Sequence, residues 1–227
     1  MKALPMLIVL FLTLTAVGVT QGQSSRLPEL GDPSGGVLTP SEELELGRSL
    51  LREVRRVMTL VEDPEVMFYI ESLGRRLASN ATDASSPFHF LTVDNSQVNA
   101  FAMPGGIVGV HSGLIVEARD EAELAAVIAH EIAHVTQRHI ARMFARSRDI
   151  NFTTGLAVLA GILAASIDPQ LAQAAITGGL AAGLQSQIDY TRSNEAEADR
   201  VGIQILTLSG FDPHAMADFF ERMQELT

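Results

Sequence analysis

Residues 130–134 read His-Glu-Ile-Ala-His and lie within a run of helix-forming residues. On a helix, positions i and i+4 stand one above the other on a single face, so His130 and His134 can aim two imidazoles at one point. Zinc takes nitrogen and oxygen donors at about 2.0–2.2 Å in a tetrahedron, and sites that do chemistry keep three protein ligands and one open position. Glu131 lies one residue round the helix. It is off the ligand face but within reach of a metal-activated water, where a general base is needed. The plain alternative is two histidines that meet only water or a carboxylate. The flanking residues Ala129, Ile132 and Ala133 are small or apolar, as a buried site requires, and weigh against it.

A third ligand must come from elsewhere. With no cysteine in the chain, thiolate ligands, disulfides and a thiol nucleophile are excluded, leaving histidine and carboxylate. The segment Asn-Glu-Ala-Glu-Ala-Asp-Arg, 194–200, offers Glu195, Glu197 and Asp199. Glu195 and Asp199 share a helical face and Glu197 points elsewhere, which favours Glu195 as the ligand. Asp199, one turn on, can then accept a hydrogen bond from the free ring N–H of a ligand histidine. Spacing alone does not exclude Glu197. A solvated acidic face partnered by Arg192 and Arg200 is the plain rival. A di-iron carboxylate centre is a poor one: it needs Glu-x-x-His on two helices, and Ala198 stands three residues after Glu195.

The elements that must hold these groups read as α+β, mainly helical, with a small antiparallel sheet of two to four strands. Thr39, Pro40 and Glu42 announce a helix through a capping box with proline at the first helical position. Asp63 and Pro64 open a second helix that runs to about Asn80. The segments 88–94 and 106–115 are β-rich, and Gly105 and Gly106 between them mark a tight turn or a close approach to a ligand. His89 and His111 read as ordinary strand residues. Residues 119–148 form one long predicted helix capped by Asp120 with Glu123 at the capping-box position; His139, 2.5 turns after His130, then points away from the metal. Two final helices are predicted over about 191–208 and from Asp212-Pro213 onward. Residues 155–184 are almost all small or apolar and are broken by Pro169, which predicts a hairpin of two short helices, with peripheral membrane contact as the rival.

These strings carry a resemblance. His-Glu-Ile-Ala-His, the trailing Val-Thr-Gln-Arg-His, the segment 194–216 and the strand-rich segment 98–115 together resemble the BepA/HtpX/CAAX-prenyl-protease type of zinc metallopeptidase, peptidase family M forty-eight. The likeness spans about residues 40–225 and is strongest to the BepA-like periplasmic members. It implies a zincin-like peptidase fold, with one zinc ion on His130, His134 and Glu195, Glu131 as base and Asp199 behind a ligand. The implied reaction is zinc-dependent endopeptidase cleavage of unfolded or misassembled envelope proteins, in partnership with outer-membrane assembly machinery. A zinc-binding chaperone or scaffold on the same fold is the alternative. BepA-like members continue into a histidine-proline segment and helical repeats, whereas this sequence stops at Thr227. The expectation is therefore a peptidase domain over 39–227 that is cut short or minimal. Arg192, Asn99 and His214 are candidate oxyanion donors. Asn99, Ala100 and Arg192 are candidate substrate contacts, with a peptide pairing along the sheet edge near 100–109.

Charge and the N-terminus bound the setting. The net charge is −11 over 227 residues, which argues against nucleic acid because phosphate binding needs a basic face. Residues 1–22 open with one lysine and then run apolar before turning small and polar, a signal-peptide pattern that directs the chain out of the cytoplasm; the resemblance implies that the compartment is the periplasm of a Gram-negative bacterium. Residues 23–38 are rich in Ser, Pro and Gly and read as a linker.

Overall fold

The computed structural model describes residues 38–82, 87–146 and 184–225. The predicted signal peptide, nearly all of the linker and the hairpin over 155–184 lie outside the described residues. Among the described residues, no helix is long and apolar enough to cross a membrane.

Helix α1, Pro40–Val57, starts at the expected cap: Thr39 and Glu42 exchange side-chain and backbone hydrogen bonds. Helix α2, Pro64–Ala78, starts where the Asp63 carboxylate accepts from the N–H groups of Glu65 and Val66. Three strands follow: β1 His89–Val93, β2 Ala100–Met103 and β3 Ile107–His111. Their order is β1-β3-β2. β2 runs antiparallel to β3 through the tight turn at Gly105 and Gly106, while β1 pairs with β3 in parallel. The sheet is therefore mixed rather than antiparallel. The cause lies in the segment between the two predicted strands, which supplies β2 and makes the hairpin with β3. Residues 112–115, expected to continue the strand, begin the short helix α3, Ser112–Glu117.

Both turn glycines have positive φ, 78° at Gly105 and 84° at Gly106, a region glycine enters without steric penalty. They face the protein rather than a ligand: a Cβ on Gly105 would meet Gly47 and Glu43 of α1, and one on Gly106 would meet Pro87.

The strands divide two apolar clusters by their alternation. Ile107 and Met103 pack with Leu46, Leu50 and Val54 of α1. Val108 and Val110 face the opposite cluster, with Ile70, Leu73 and Leu77 of α2 and Ile128 and Ile132 of helix α4, Glu121–Thr136. Each such side chain, fully buried, contributes about 1.5–3 kcal/mol. Helix α6, Leu184–Leu208, and helix α7, His214–Glu225, close the second cluster through Ile205, Leu206, Met216 and Phe219.

The long helix predicted over 119–148 is broken. α4 stops at Thr136 and a new helix α5, His139–Arg146, begins three residues later. Arg138 sits between them at φ 52°, the one non-glycine positive φ among the described residues. Its N–H bonds to the Val135 carbonyl and its own carbonyl accepts from Arg142, so it ends one helix and starts the next. A non-glycine residue in this region costs roughly 1–3 kcal/mol. Here Arg138 is held by distant partners: Nε reaches Glu43 Oε2 at 3.0 Å and a terminal nitrogen reaches the Leu38 carbonyl at 2.7 Å.

Candidate metal centre and active site

α4 presents His130 and His134 on one face, and α6 brings Glu195 against them. His130 Nε2 and His134 Nε2 lie 3.0 Å apart, and Glu195 Oε2 stands 3.3 Å from the first and 3.5 Å from the second. Ligand atoms about 2.0–2.1 Å from a zinc ion form a tetrahedron with edges of about 3.3–3.4 Å. The three atoms thus trace one face of such a tetrahedron.

Hydrogen bonding decides which electrons face that point. His130 Nδ1 lies 3.0 Å from Asp199 Oδ1; the carboxylate can only accept, so Nδ1 carries the proton and Nε2 a lone pair. His134 Nδ1 lies 2.8 Å from Nδ1 of His139, whose Nε2 lies 3.2 Å from Glu197 Oε2. Glu197 accepts from His139, His139 in turn accepts from His134, and His134 Nε2 is left bare. In these tautomers two nitrogen lone pairs and a carboxylate oxygen face one point, where either a metal ion or ring protons held by Glu195 supply the positive charge.

The local field points the same way. Burial opposes protonation of His130, yet the Glu195 hydrogen bond and the charges of Glu131, Glu195 and Asp199 outweigh it and raise its pKa. Hydrogen bonds from His130 and His134 hold Glu195 far below the ordinary carboxylate range. Burial and the neighbouring His134 push His139 down to about 4, consistent with a neutral ring.

Glu131, the next residue on α4, is half-buried. Desolvation raises its pKa above the ordinary value against the pull of His134 and His130, and the backbone of Ala102 in β2 bonds to its carboxyl. A carboxyl lifted in this way is better matched to proton transfer near neutral pH. β2 is an edge strand among the described residues. Since the His111 N–H bonds to the Asn99 carbonyl, the antiparallel alternation turns the backbone groups of Ala100 and Ala102 to the outer edge, the side that Glu131 approaches. β3 is central and cannot receive a further strand.

The other sequence candidates are not among the three ligand residues. Arg192 is exposed on α6. His214 is exposed at the start of α7 and bonds to Asp212 at 2.9 Å, which occupies it away from the cluster. Asn99 precedes β2 with its carbonyl used in the sheet. His111 is fully buried, edge-on to Phe101.

One residue was misread from sequence. His139 is not turned away from the site: the break at Arg138 returns it to His134. Glu197 points away from the ligand atoms, as expected, and there receives both His139 and Arg142. The string Val-Thr-Gln-Arg-His holds no Gly or Pro to signal the break.

A family model described as "Peptidase family M48" matches residues 65–227. The "Beta-barrel assembly-enhancing protease" of Escherichia coli is 44% identical over 197 residues, covering 87% of this chain and 40% of that protein. The "Putative beta-barrel assembly-enhancing protease" of Vibrio cholerae is 42% identical over 207 residues, 91% of this chain and 43% of that protein. The "Mitochondrial metalloendopeptidase OMA1" of Schizosaccharomyces pombe is 32% identical over 163 residues, 70% of this chain and 44% of that protein. The chain thus spans well under half the length of these curated relatives.

Proposed function

The chain belongs to peptidase family M48, and on that premise we propose that it is a zinc-dependent endopeptidase of the periplasm that cleaves unfolded or misassembled envelope proteins. The observation that carries this reading is the triangle of His130 Nε2, His134 Nε2 and Glu195 Oε2, with edges of 3.0, 3.3 and 3.5 Å and a desolvated glutamate beside it.

In this reading His130, His134 and Glu195 hold one zinc ion. When bound, zinc supplies Lewis-acid polarisation of a peptide carbonyl and of water. Glu131 takes a proton from the attacking water on its carboxylate and returns it to the departing amine. Asp199 keeps His130 in the tautomer that leaves Nε2 free. An extended substrate lies along the outer edge of β2, its main chain paired with Ala100 and flanked by Asn99, and Arg192 meets it from α6. Cleavage then needs a locally unfolded stretch, since only an extended chain can add to an edge. The names of the bacterial relatives support an assembly-related substrate and a partner in outer-membrane assembly. The apolar start of the sequence supports export.

Wild type and Glu131→Gln, assayed for bound metal and for cleavage of casein or an unfolded outer-membrane protein, test the reading. The expectation is about one zinc per chain in both, with cleavage by the variant lower by roughly 10²–10⁴-fold. Equal cleavage by the two proteins would leave a zinc-binding chaperone or scaffold as the better description.

A further inference from the structure

His139 is a histidine at the site with no role in the chemistry above, yet both its ring nitrogens are engaged. It is 4% exposed. Nδ1 stands 2.8 Å from His134 Nδ1, and Nε2 stands 3.2 Å from Glu197 Oε2. The same carboxylate oxygen receives Arg142 at 2.6 Å.

We propose that Glu197 and His139 form a positioning relay for His134, fixing its tautomer and ring orientation as Asp199 does for His130; the inference rests on the metal reading given above. The proton order follows from which atoms can only accept. Glu197 accepts from His139 Nε2–H, so His139 Nδ1 holds a lone pair and accepts from His134 Nδ1–H. The outcome is a bare Nε2 on His134, aimed at the same point as that of His130. Partners behind a ligand histidine both orient it and raise its basicity.

The two histidines are backed differently. His130 has a carboxylate directly behind it. His134 has a neutral ring, with the carboxylate one residue farther out and offset by Arg142. Three carboxylates, Glu131, Glu195 and Asp199, already act on His130. A relay through a neutral ring orients His134 without setting a fourth negative charge against it, and Arg142 offsets the one at its far end.

The backbone is arranged to allow this. In one continuous helix, His139 would lie about 140° round from His134 and could not touch it. The left-handed Arg138 breaks the helix between them, and Glu43 of α1 together with the Leu38 carbonyl holds that break. The ring of His139 then sits 4.7 Å from that of His134, centroid to centroid and edge-on.

The test is zinc affinity of the full chain by competition with a chromophoric chelator, with the visible spectrum of the cobalt-loaded protein as a second readout. His139→Ala should bind zinc about 10–100-fold more weakly than wild type. His139→Asn, whose side-chain oxygen can accept where Nδ1 did, should recover most of the loss. Glu197→Gln, which keeps shape and removes the charge, should fall between wild type and His139→Ala. The cobalt spectrum should shift in the same order. If His139→Ala does not fold, the other two variants carry the result. Zinc affinity within twofold of wild type for every folded variant, with unchanged cobalt spectra, would overturn the relay. A lower apoprotein Tm alone would assign His139 a packing role and overturn it too. Wild type that binds no zinc would remove the metal reading itself, a failure distinguishable from that of the relay.

Discussion

Gly202 of α6 lies against the backbone of His130: a Cβ added to it would sit 3.1 Å from His130 Cα and 3.2 Å from His130 N. Only a residue without a side chain lets α6 come this close to α4 beside the cluster. One turn earlier on α6, Asp199 reaches His130 Nδ1. Gly202→Ala should gain about 1 kcal/mol of helix propensity. Overpacking against backbone that cannot swing aside should cost about 1–3 kcal/mol. The expected net result is equal or lower stability in urea unfolding, together with weaker zinc binding as Asp199 and Glu195 move off the histidines. A more stable variant with wild-type zinc affinity would show that the approach is not required.

Asp199 and Glu195 share a face of α6, and their substitutions should separate by kind. Asp199→Ala frees His130 to rotate and to adopt the wrong tautomer, so zinc affinity should fall about 10–100-fold with the metal still bound at saturation. Glu195→Ala removes a ligand atom, and near-complete loss of tight zinc binding is expected. Isothermal titration of the apoproteins distinguishes the two. Equal losses would mean that the carboxylates are not doing different jobs.

Arg138 and Glu43 form an ion pair with side chains 16% and 8% exposed. Removing one partner of a buried pair strands the other charge, at a cost of about 3–5 kcal/mol. Glu43→Ala should therefore destabilise the protein on that scale in denaturant unfolding. It should also weaken zinc binding, because α5 and His139 lose the break that places them. A loss under 1 kcal/mol would mean that the left-handed turn is held by other contacts.

The same residues mark what the sequence could and could not disclose. The meeting of His130, His134 and Glu195 was legible because helical spacing fixes the first two relative to each other, and the segment 194–200 sets Glu195 and Asp199 on one helical face. Capping residues located the starts of α1, α2 and α4, since Thr39, Asp63 and Asp120 each bond locally to their own helices. The break between α4 and α5 was not legible. It depends on Arg138 reaching a carboxylate 95 positions earlier, and no local residue announces it. The misreading of His139 follows from that one miss. The parallel pairing of β1 with β3 was hidden for a related reason: strand periodicity sets which face is buried but leaves direction to the connections.

A last expectation concerns acid. Glu42 Oε2 accepts from the Thr39 N–H at 2.8 Å and from its hydroxyl at 2.7 Å. These bonds hold the Glu42 carboxyl below its ordinary value, the backbone bond most strongly. A carboxyl whose pKa is depressed by folding stabilises the fold above its unfolded value, near 4.5, and loses that contribution as pH falls through the folded value. Glu42→Gln keeps an acceptor at the same place without the charge. Wild type should therefore have the higher Tm at pH 6–7, and the two curves should converge as pH falls below 4.5 and through the lowered folded value, where Glu42 is protonated. The group is exposed, so added salt should shrink the difference at neutral pH. A Tm gap that stays constant from pH 7 to pH 3 would show that the charge of Glu42 adds nothing to the cap.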